Sequence, residues 1–381
     1  MGENAMAEIF KFLSVDFLSH QSLRRHDTAQ RQTLERNMKS LSCMPVGALL
    51  IAGAFAMNAS AESVTVGWFG GNWGDAFNQC VAQPFTKATG IQVIPEIGTS
   101  TVNLSKLEQQ RNAPAIDAVW MDSGVSELAT AAGVIDSLDP TKIPNLGNVV
   151  QEGVYRHDGT VFAVSTGFYA VGIAYNTQEL KVPPTSWSDL WRADMANALT
   201  FPSPANALGV PTVFFLNSIN KPPAGMDATF ARLKTLKVSA FYDSSGAAAN
   251  ALQSGDVVAA VYNSAPTWDL ADRGLPLAFV VPREGAWGGD VRLHLVKGAR
   301  NKAAAEKFIN AAITPEASTC LAKKLYLGPS VKGVTVSPEV ARKLPWGENG
   351  SVKDLKLLDW WEINRQRAAL VDRWNREIAN K

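Results

Sequence analysis

Three short stretches carry residue types suited to holding a small polar molecule. Phe69-Gly70-Gly71-Asn72-Trp73-Gly74 follows an apolar run and precedes a helical one. Glycines there let backbone N–H groups approach a solute closely, and Trp73 offers a flat surface for apolar or cation–π contact. The same pattern is also met by a tight turn whose tryptophan packs inward. Asp122-Ser123-Gly124 and Asp243-Ser244-Ser245-Gly246 each close an extended run and open a helix. Free N–H donors and the positive end of a helix dipole suit an anionic group at such places, with Asp122, Ser123, Ser244 and Ser245 nearest to it. Both are equally ordinary helix caps, which contribute about 1 kcal/mol without any ligand.

Catalytic and metal chemistry find little support. His157 and His294 stand far apart, without HExxH, CxxC or another ligand at metal spacing, and each reads as structural. The glycines of 70–74 lack the G-x-G-x-x-G spacing, and there is no P-loop or G-x-S-x-G elbow. No catalytic residue, metal or cofactor is therefore expected. An exported serine hydrolase working through Ser123 or Ser245 is the enzyme alternative.

These stretches sit on an alternating framework. SVTVGWF, IQVIPEI and IDAVWMD read as strands separated by helices near Asp75–Ala88, closed by Gly90, and Leu104–Asn112. VFAVSTGFYAVGIAYN reads as two extended pieces, TSWSDLW opens a helix, ALTFPSP is a strand before a helix near Ala205–Ser218, and VVAAVYN is another buried strand. DVRLHLVKG, a helix over Lys302–Ala312 and a helical tract from Val352 to Ile378 complete the chain. This rhythm predicts an α/β fold with a parallel or mixed sheet covered by helices. Trp187 and Trp191 share a helix face and read as packing. Trp360, Trp361 and Trp374 read as core or inter-lobe packing.

The chain has 381 residues, 46% hydrophobic and 19% charged, enough for one large domain or two or three smaller ones. Six of 36 basic and five of 35 acidic residues precede Glu62, so the remainder is balanced at 30 each, with no basic block to follow a phosphate backbone. Nucleic-acid binding is not expected. Lys39, the 14-residue apolar run Met44–Met57 and the triplet Ala59-Ser60-Ala61 have the form of a secretory signal cleaved after Ala61. A membrane span would need about 20 apolar residues. Residues 38–61 are thus assigned to the signal, and 1–37 to a non-native or mis-called extension ahead of Met38. Cys43 precedes the apolar run, so it is not placed for lipidation. Cys80 and Cys320 remain after cleavage, and a disulfide between them or two buried thiols both fit an oxidising compartment.

In order and spacing, VGWFGGNWGDAF, PFTKATGIQV, DAVWMD, LDPTKIPN, STGFYAVGIAYNTQEL, PPTSWSDLWR, LQSGDVVAAVYNSAP, VPREGAWGGD and VKGARNKAAAEKFINAAITPEAS resemble the periplasmic solute-binding components of ABC importers, in the spermidine/putrescine-binding branch. The resemblance covers nearly all of 62–381. It implies a two-lobed, type II-like periplasmic binding protein with a ligand cleft between lobes 62–165 plus 291–381 and 166–290. Hinges near Thr166–Gly172 and Trp287–Leu293 are implied, with the final helices resting on either lobe. It also implies a monomeric receptor without enzymatic activity, serving an inner-membrane permease and its ATPase. Gly71, Asn72 and Trp73 match a place where the family uses aromatics. Thr166, Phe168 and Tyr169 fall at the crossover, Tyr262 at a cleft wall, and Trp287 and Asp290 where polyamine-binding relatives place a tryptophan and an amine-binding aspartate. Here those two are three apart rather than two. Ser203-Pro204-Ala205-Asn206 stands where polyamine binders carry acids. Two ammonium groups then lack a partner, which points towards a smaller amphoteric, amino-acid-derived or opine-like solute. A ferric-iron receptor would need adjacent tyrosines, and Phe168-Tyr169 supplies one.

Overall fold

A computed structural model describes residues 62–220 and 225–379. The expected signal, the extension and Cys43 lie outside the described residues. Strand β1 (Ser63–Trp68) alternates inward Val64 and Val66 with half-buried neighbours and leads directly into α1 (Gly71–Phe77). A π-helical turn over Asn78–Ala82 carries the chain into α2 (Gln83–Thr89), which ends at Gly90 as expected. Helix begins at Gly71, four residues earlier than the composition suggested, so Asn72 and Trp73 lie in a first helical turn rather than in a loop. β2 (Gln92–Ile97), α3 (Ser100–Gln109), β3 (Ala118–Asp122), α4 (Val125–Ala132) and β4 (Ile135–Asp136) follow.

The tract expected as two extended pieces is a single strand. β6 (Thr160–Asn176) is buried from Ala163 to Tyr175, after the short β5 (Val154–His157). Apolar side chains on both faces of a strand allow it to run through the middle of a molecule. TSWSDLW forms a 3-10 turn over Trp187–Trp191 rather than an α-helix, because Asp189 folds back on the Thr185 and Ser186 amides. Then come β7 (Leu199–Pro202), α5 (Gly209–Ile219), α6 (Gly225–Leu233), β8 (Ala240–Tyr242), α7 (Ser245–Ser254), β9 (Ala259–Asn263), α8 (Ser264–Asp272), β10 (Leu277–Val280) and β11 (Trp287–Val296). The chain closes with α9 (Lys302–Ala312), α10 (Pro315–Leu325), α11 (Pro338–Lys343), β12 (Lys356–Leu357) and α12 (Trp360–Trp374).

Among the described residues the strands form one mixed sheet in the order β2-β1-β3-β11-β6-β9-β7-β8. β1, β2 and β3 are mutually parallel, as are β7, β8 and β9. β11 runs antiparallel to β3 on one side and to β6 on the other, and β6 runs antiparallel to β9 and β10. Two strand groups are therefore joined through the β6/β11 ladder, and the α/β class expected from the alternation is the class observed. A bulge shifts that ladder between Val291 and Arg292, leaving Thr166 without a paired residue. A bulge bends a strand and sharpens its local twist.

Cys80 and Cys320 are joined, with 5.5 Å between their Cα atoms, tying the π-helical turn to α10. Of the two alternatives left open by the sequence, the bridge is the one found. It spans a sequence separation of 240 residues, so it restricts an unfolded chain strongly. Replacing both cysteines by serine is expected to cost about 2–5 kcal/mol of stability. Guanidinium unfolding midpoints that coincide for the oxidised protein and the double variant would contradict this.

Candidate functional site

The carboxyl end of β3 meets the middle of the β6/β11 ladder. Ser123 donates its backbone N–H to the Asp290 carbonyl at 2.9 Å, and its Oγ accepts the Asp290 N–H at 3.2 Å. Tyr169, opposite Gly289 in the ladder, lies over it so closely that an added Cβ at 289 would sit 2.4 Å from the Tyr169 ring. Only glycine fits there. Burial pushes the Tyr169 hydroxyl well above its ordinary range, with the Asp122 and Asp290 carboxylates adding to the effect and Ser123 opposing it. Asp122, Ser123, Tyr169 and Asp290 are thus brought together at the carboxyl end of β3.

Asp122 remains partly exposed. One of its carboxylate oxygens accepts from Ser100 Oγ at 2.9 Å, and burial, reinforced by Asp290, raises its carboxyl to about 6 despite that bond. A carboxylate held above its usual range at the end of a parallel strand favours a proton or another cation beside it.

Asp290 is placed otherwise than expected. Residues three apart on a strand point to opposite faces. Trp287 accordingly packs with Tyr169 and Val171 in the main core, while Asp290 turns to the face covered by α4. There both Asp290 oxygens accept from Arg292 Nε at 3.0 Å, and Arg292 Nη1 reaches Glu127 at 2.6 Å. The Arg292 guanidinium also lies 4.4 Å from the Tyr155 ring centre. Burial and this internal ion pair leave Asp290 committed to Arg292. Glu127 also accepts from the Gly124 N–H at 2.6 Å. The start of α4 therefore already faces a carboxylate, and the anion site read from Asp122-Ser123-Gly124 is filled from within. His294, on the same face, accepts from Ser126 Oγ through Nε2 at 2.7 Å if Nδ1–H is donated to the Val119 carbonyl at 3.2 Å. Burial lowers its pKa to about 3, so it stays neutral. Among the described residues no group of three or more His, Cys, Asp or Glu is placed to hold a metal ion.

Thr166 and Phe168 are internal. Thr166 Oγ1, in the bulge, accepts from Trp120 Nε1 at 3.0 Å and donates to the Val291 carbonyl at 3.2 Å. Phe168 is buried on the face opposite Tyr169, against Trp346. Tyr262 is buried too, and its hydroxyl donates to the Ser245 carbonyl at 2.8 Å, holding the first turn of α7. Ser244 caps that helix on the Ala247 N–H at 3.2 Å, and Ser244 and Ser245 are exposed. Gly71 and Asn72 are exposed, whereas Trp73 is half-buried, edge-on to Phe69 at 5.8 Å and Phe77 at 6.1 Å. Trp73 thus packs against the core on part of its ring while the remainder stays open.

An acid from another strand lies beside Ser203. β7 and β8 pair in parallel, which sets Asp243 beside Ser203, whose Oγ donates to it at 2.5 Å. Forty residues separate them, so only the strand pairing reveals the contact. The C-terminal helix was expected, with its tryptophans as packing, and Trp360 and Trp374 are in the core; its particular partners were not. Asn364 Nδ2 donates to the Gly124 carbonyl at 2.8 Å, and the Trp361 ring stacks on His157 at 4.3 Å. At its other end Trp374 stacks on Phe201 at 6.2 Å, and Arg373 pairs with Asp227 at 2.7 Å. α12 rests on both strand groups.

The model of bacterial extracellular solute-binding proteins matches residues 81–345. The chain belongs to this family. Among its relatives, the spermidine/putrescine-binding periplasmic protein of Salmonella typhimurium is 26% identical over 305 residues, covering 77% of this chain and 87% of that one. The gamma-aminobutyric acid-binding protein of Pseudomonas aeruginosa is 28% identical over 300 residues, covering 74% and 81%. A solved structure of an ABC transporter protein from Clostridium perfringens is 25% identical with a TM-score of 0.69, over 83% of this chain and 99% of that one. This solute-binding protein is thus similar to receptors, not to enzymes, and its fold neighbours are periplasmic binding proteins. No helix among the described residues is long and apolar enough to cross a membrane.

Two predictions follow from these charges. Arg292→Ala strands two buried carboxylates and is expected to cost about 3–5 kcal/mol in chemical denaturation; a loss under about 1 kcal/mol would show that the network carries no stability. Asp122 has a folded pKa above its ordinary 3.8, so the folded state holds the proton more tightly. Its stabilising effect is complete below the unfolded value and disappears as pH rises through about 6. Relative to Asp122→Asn, the wild type is expected to lose about 2 kcal/mol between pH 4 and pH 7.5. Parallel stability profiles for the two proteins would contradict it.

Proposed function

We propose that the mature chain is an exported periplasmic receptor that captures a small polar solute, polyamine-like or amphoteric and amino-acid-derived, and delivers it to an inner-membrane permease and its ATPase. Residues 62–165 with 291–381 form one lobe and 166–290 the other, and they close about hinges at Thr166–Gly172 and Trp287–Leu293. The bulge at Thr166 lies within that stretch of β6, in a ladder that is the main link between the two strand groups. Residues 38–61 act as the export signal.

The observation that carries this reading is Asp122. It is a partly exposed carboxyl raised to about 6 at the carboxyl end of β3, beside Ser123 and Tyr169. An ammonium group set there relieves its unfavourable charge. Trp73, Gly71 and Asn72 extend the surface on the first lobe, and Asp243, Ser244 and Ser245 offer polar groups on the second. The names of the relatives support an amine: one binds spermidine and putrescine, another gamma-aminobutyric acid. Closure follows when one solute touches both lobes, because a solute held by one lobe alone binds open and closed forms equally.

Residues 62–381 are to be screened by thermal shift against polyamines, amino acids, opines, organic acids and sugars. A solute that binds only the folded state raises the melting temperature by mass action. An amine-bearing solute is expected to give the largest shift, with Trp73→Ala weakening it about tenfold and leaving the unliganded melting temperature within a few degrees. A largest shift from a sugar or a dicarboxylate would overturn the reading of Asp122.

A further inference from the structure

We infer that Arg367, in the middle of the C-terminal helix, receives the carboxylate of the solute, which is accordingly an amino acid with its amine and carboxylate at opposite ends rather than a diamine. This rests on the receptor reading above and chooses between its two solute classes. α12 buries Trp360, Ile363, Leu370 and Trp374, which follow one another at helical spacing along one stripe. Arg367 completes that stripe at its centre, between Ile363 and Leu370. Its neighbours Arg365, Gln366, Ala368 and Ala369 are exposed, whereas Arg367 is half-buried and keeps access to solvent. A guanidinium drawn out of water in this way needs an anion. The other two arginines of the helix have one: Arg365 pairs with Glu362, and Arg373 with Asp227 at 2.7 Å and Glu377 at 2.8 Å. Among the described residues no carboxylate pairs with Arg367. Its hydrogen bonds are two long ones to Asn364 Oδ1, at 3.3 and 3.4 Å, and burial lowers its pKa with no acid acting in the other direction.

The stripe lies across the two strand groups. At its start Trp360 packs on Gly124, where an added Cβ would sit 2.8 Å from the indole, and Asn364 donates to the Gly124 carbonyl at 2.8 Å. At its end Trp374 stacks on Phe201 of β7 and meets Phe241 of β8 edge-on at 5.0 Å. At a rise of about 1.5 Å per residue, Trp360 and Trp374 are about 21 Å apart along the helix and Arg367 stands halfway between them. It faces the division between the two groups, one helical turn beyond the contact with Gly124. Asp122 closes β3 just ahead of that glycine. Its carboxyl is raised by burial and by Asp290, and no arginine lowers it, so Asp122 and Arg367 do not neutralise each other. Arg292 is not free for an anion, because Asp290 and Glu127 hold it. One acid and one base, each without a counter-ion, match a molecule with an ammonium at one end and a carboxylate at the other. A guanidinium fork takes a carboxylate through two parallel hydrogen bonds, and it would repel the second ammonium of a diamine. Asp122 belongs to the first strand group and Arg367 to a helix anchored on the second, so such a solute touches both.

The test is isothermal titration of residues 62–381 with putrescine, gamma-aminobutyrate and 5-aminopentanoate, which share an ammonium and differ at the far end, on the wild type, Arg367→Gln, Arg367→Lys and Asp122→Asn. Melting curves without solute accompany each variant. The wild type is expected to bind the better of the two amino acids at least about tenfold more tightly than putrescine. Arg367→Gln is expected to cut that preference at least about tenfold, with Arg367→Lys in between, since an ammonium keeps the charge and lacks the fork. Asp122→Asn is expected to weaken all three. Removing an unpaired guanidinium is expected to leave the unliganded melting temperature unchanged or higher. A merely structural Arg367 would give the opposite: a lower melting temperature, with equal losses for all three probes. Arg367→Met, of similar reach, serves if the glutamine variant unfolds. A wild type that prefers putrescine, or a preference unchanged by the loss of Arg367, overturns the assignment and leaves the receptor reading standing. Binding of none of the three by the wild type overturns the amine reading of Asp122, and the assignment of Arg367 with it.

Discussion

The antiparallel ladder between β6 and β11 is the constraint on which the rest of this structure depends. β11 borders β3, and β6 borders β9 and β10, so a single pairing register relates everything in one strand group to everything in the other. Because side chains alternate across a strand, the same register decides which residues share a surface. It puts Gly289 beneath Tyr169 and Trp287 beside Val171 on the core face. It turns Asp290, Arg292 and His294 the other way, towards α4. A slip of one residue would exchange these two sets and destroy both.

The α4 face is a closed electrostatic unit. Arg292 lies between Asp290 and Glu127 and over Tyr155, and Glu127 also holds the Gly124 amide. Removing a guanidinium and two carboxylates from water is costly unless each finds partners, and here each has them. The consequence is positional. Asp290 fixes Ser123 through two backbone-level bonds, so the network sets the strand end on which Asp122 is displayed. Asp122 is left outside it, with Ser100 as its hydrogen-bond partner and burial raising its carboxyl. The charged groups divide into a set paired among themselves and a lone carboxyl, Asp122, held by a neutral hydroxyl.

How far the sequence foretold this depends on the range of the interaction. The α/β alternation, the strand ends at Asp122 and Asn263, and the helix Lys302–Ala312 are local patterns and were legible in composition and spacing. Facing was legible in principle from the three-residue step between Trp287 and Asp290, since an odd step on a strand separates faces. Contacts made by distant segments were not. Asp243 meets Ser203 only because β7 and β8 pair in parallel, and Trp360 meets Gly124 across a separation of more than two hundred residues. A tryptophan at helical spacing announces burial, but nothing in its own neighbourhood says against what. The α1 start failed for a smaller reason: Gly71 and Asn72 are weak helix formers, and packing of Trp73 on Phe69 and Phe77 outweighs their propensity.

The placement of α12 has an energetic consequence for any receptor that works by closure. Contacts by which α12 links the two strand groups without any solute, Asn364 on the Gly124 carbonyl at one end and Trp374 on Phe201 at the other, would stabilise a closed form by themselves. A population already closed binds with less conformational cost, since apparent affinity scales with the competent fraction. Yet a closed form made too stable by protein contacts alone would present itself to the permease empty. A helix shared between the strand groups therefore has to hold them weakly enough that contacts made by the solute decide the closed population.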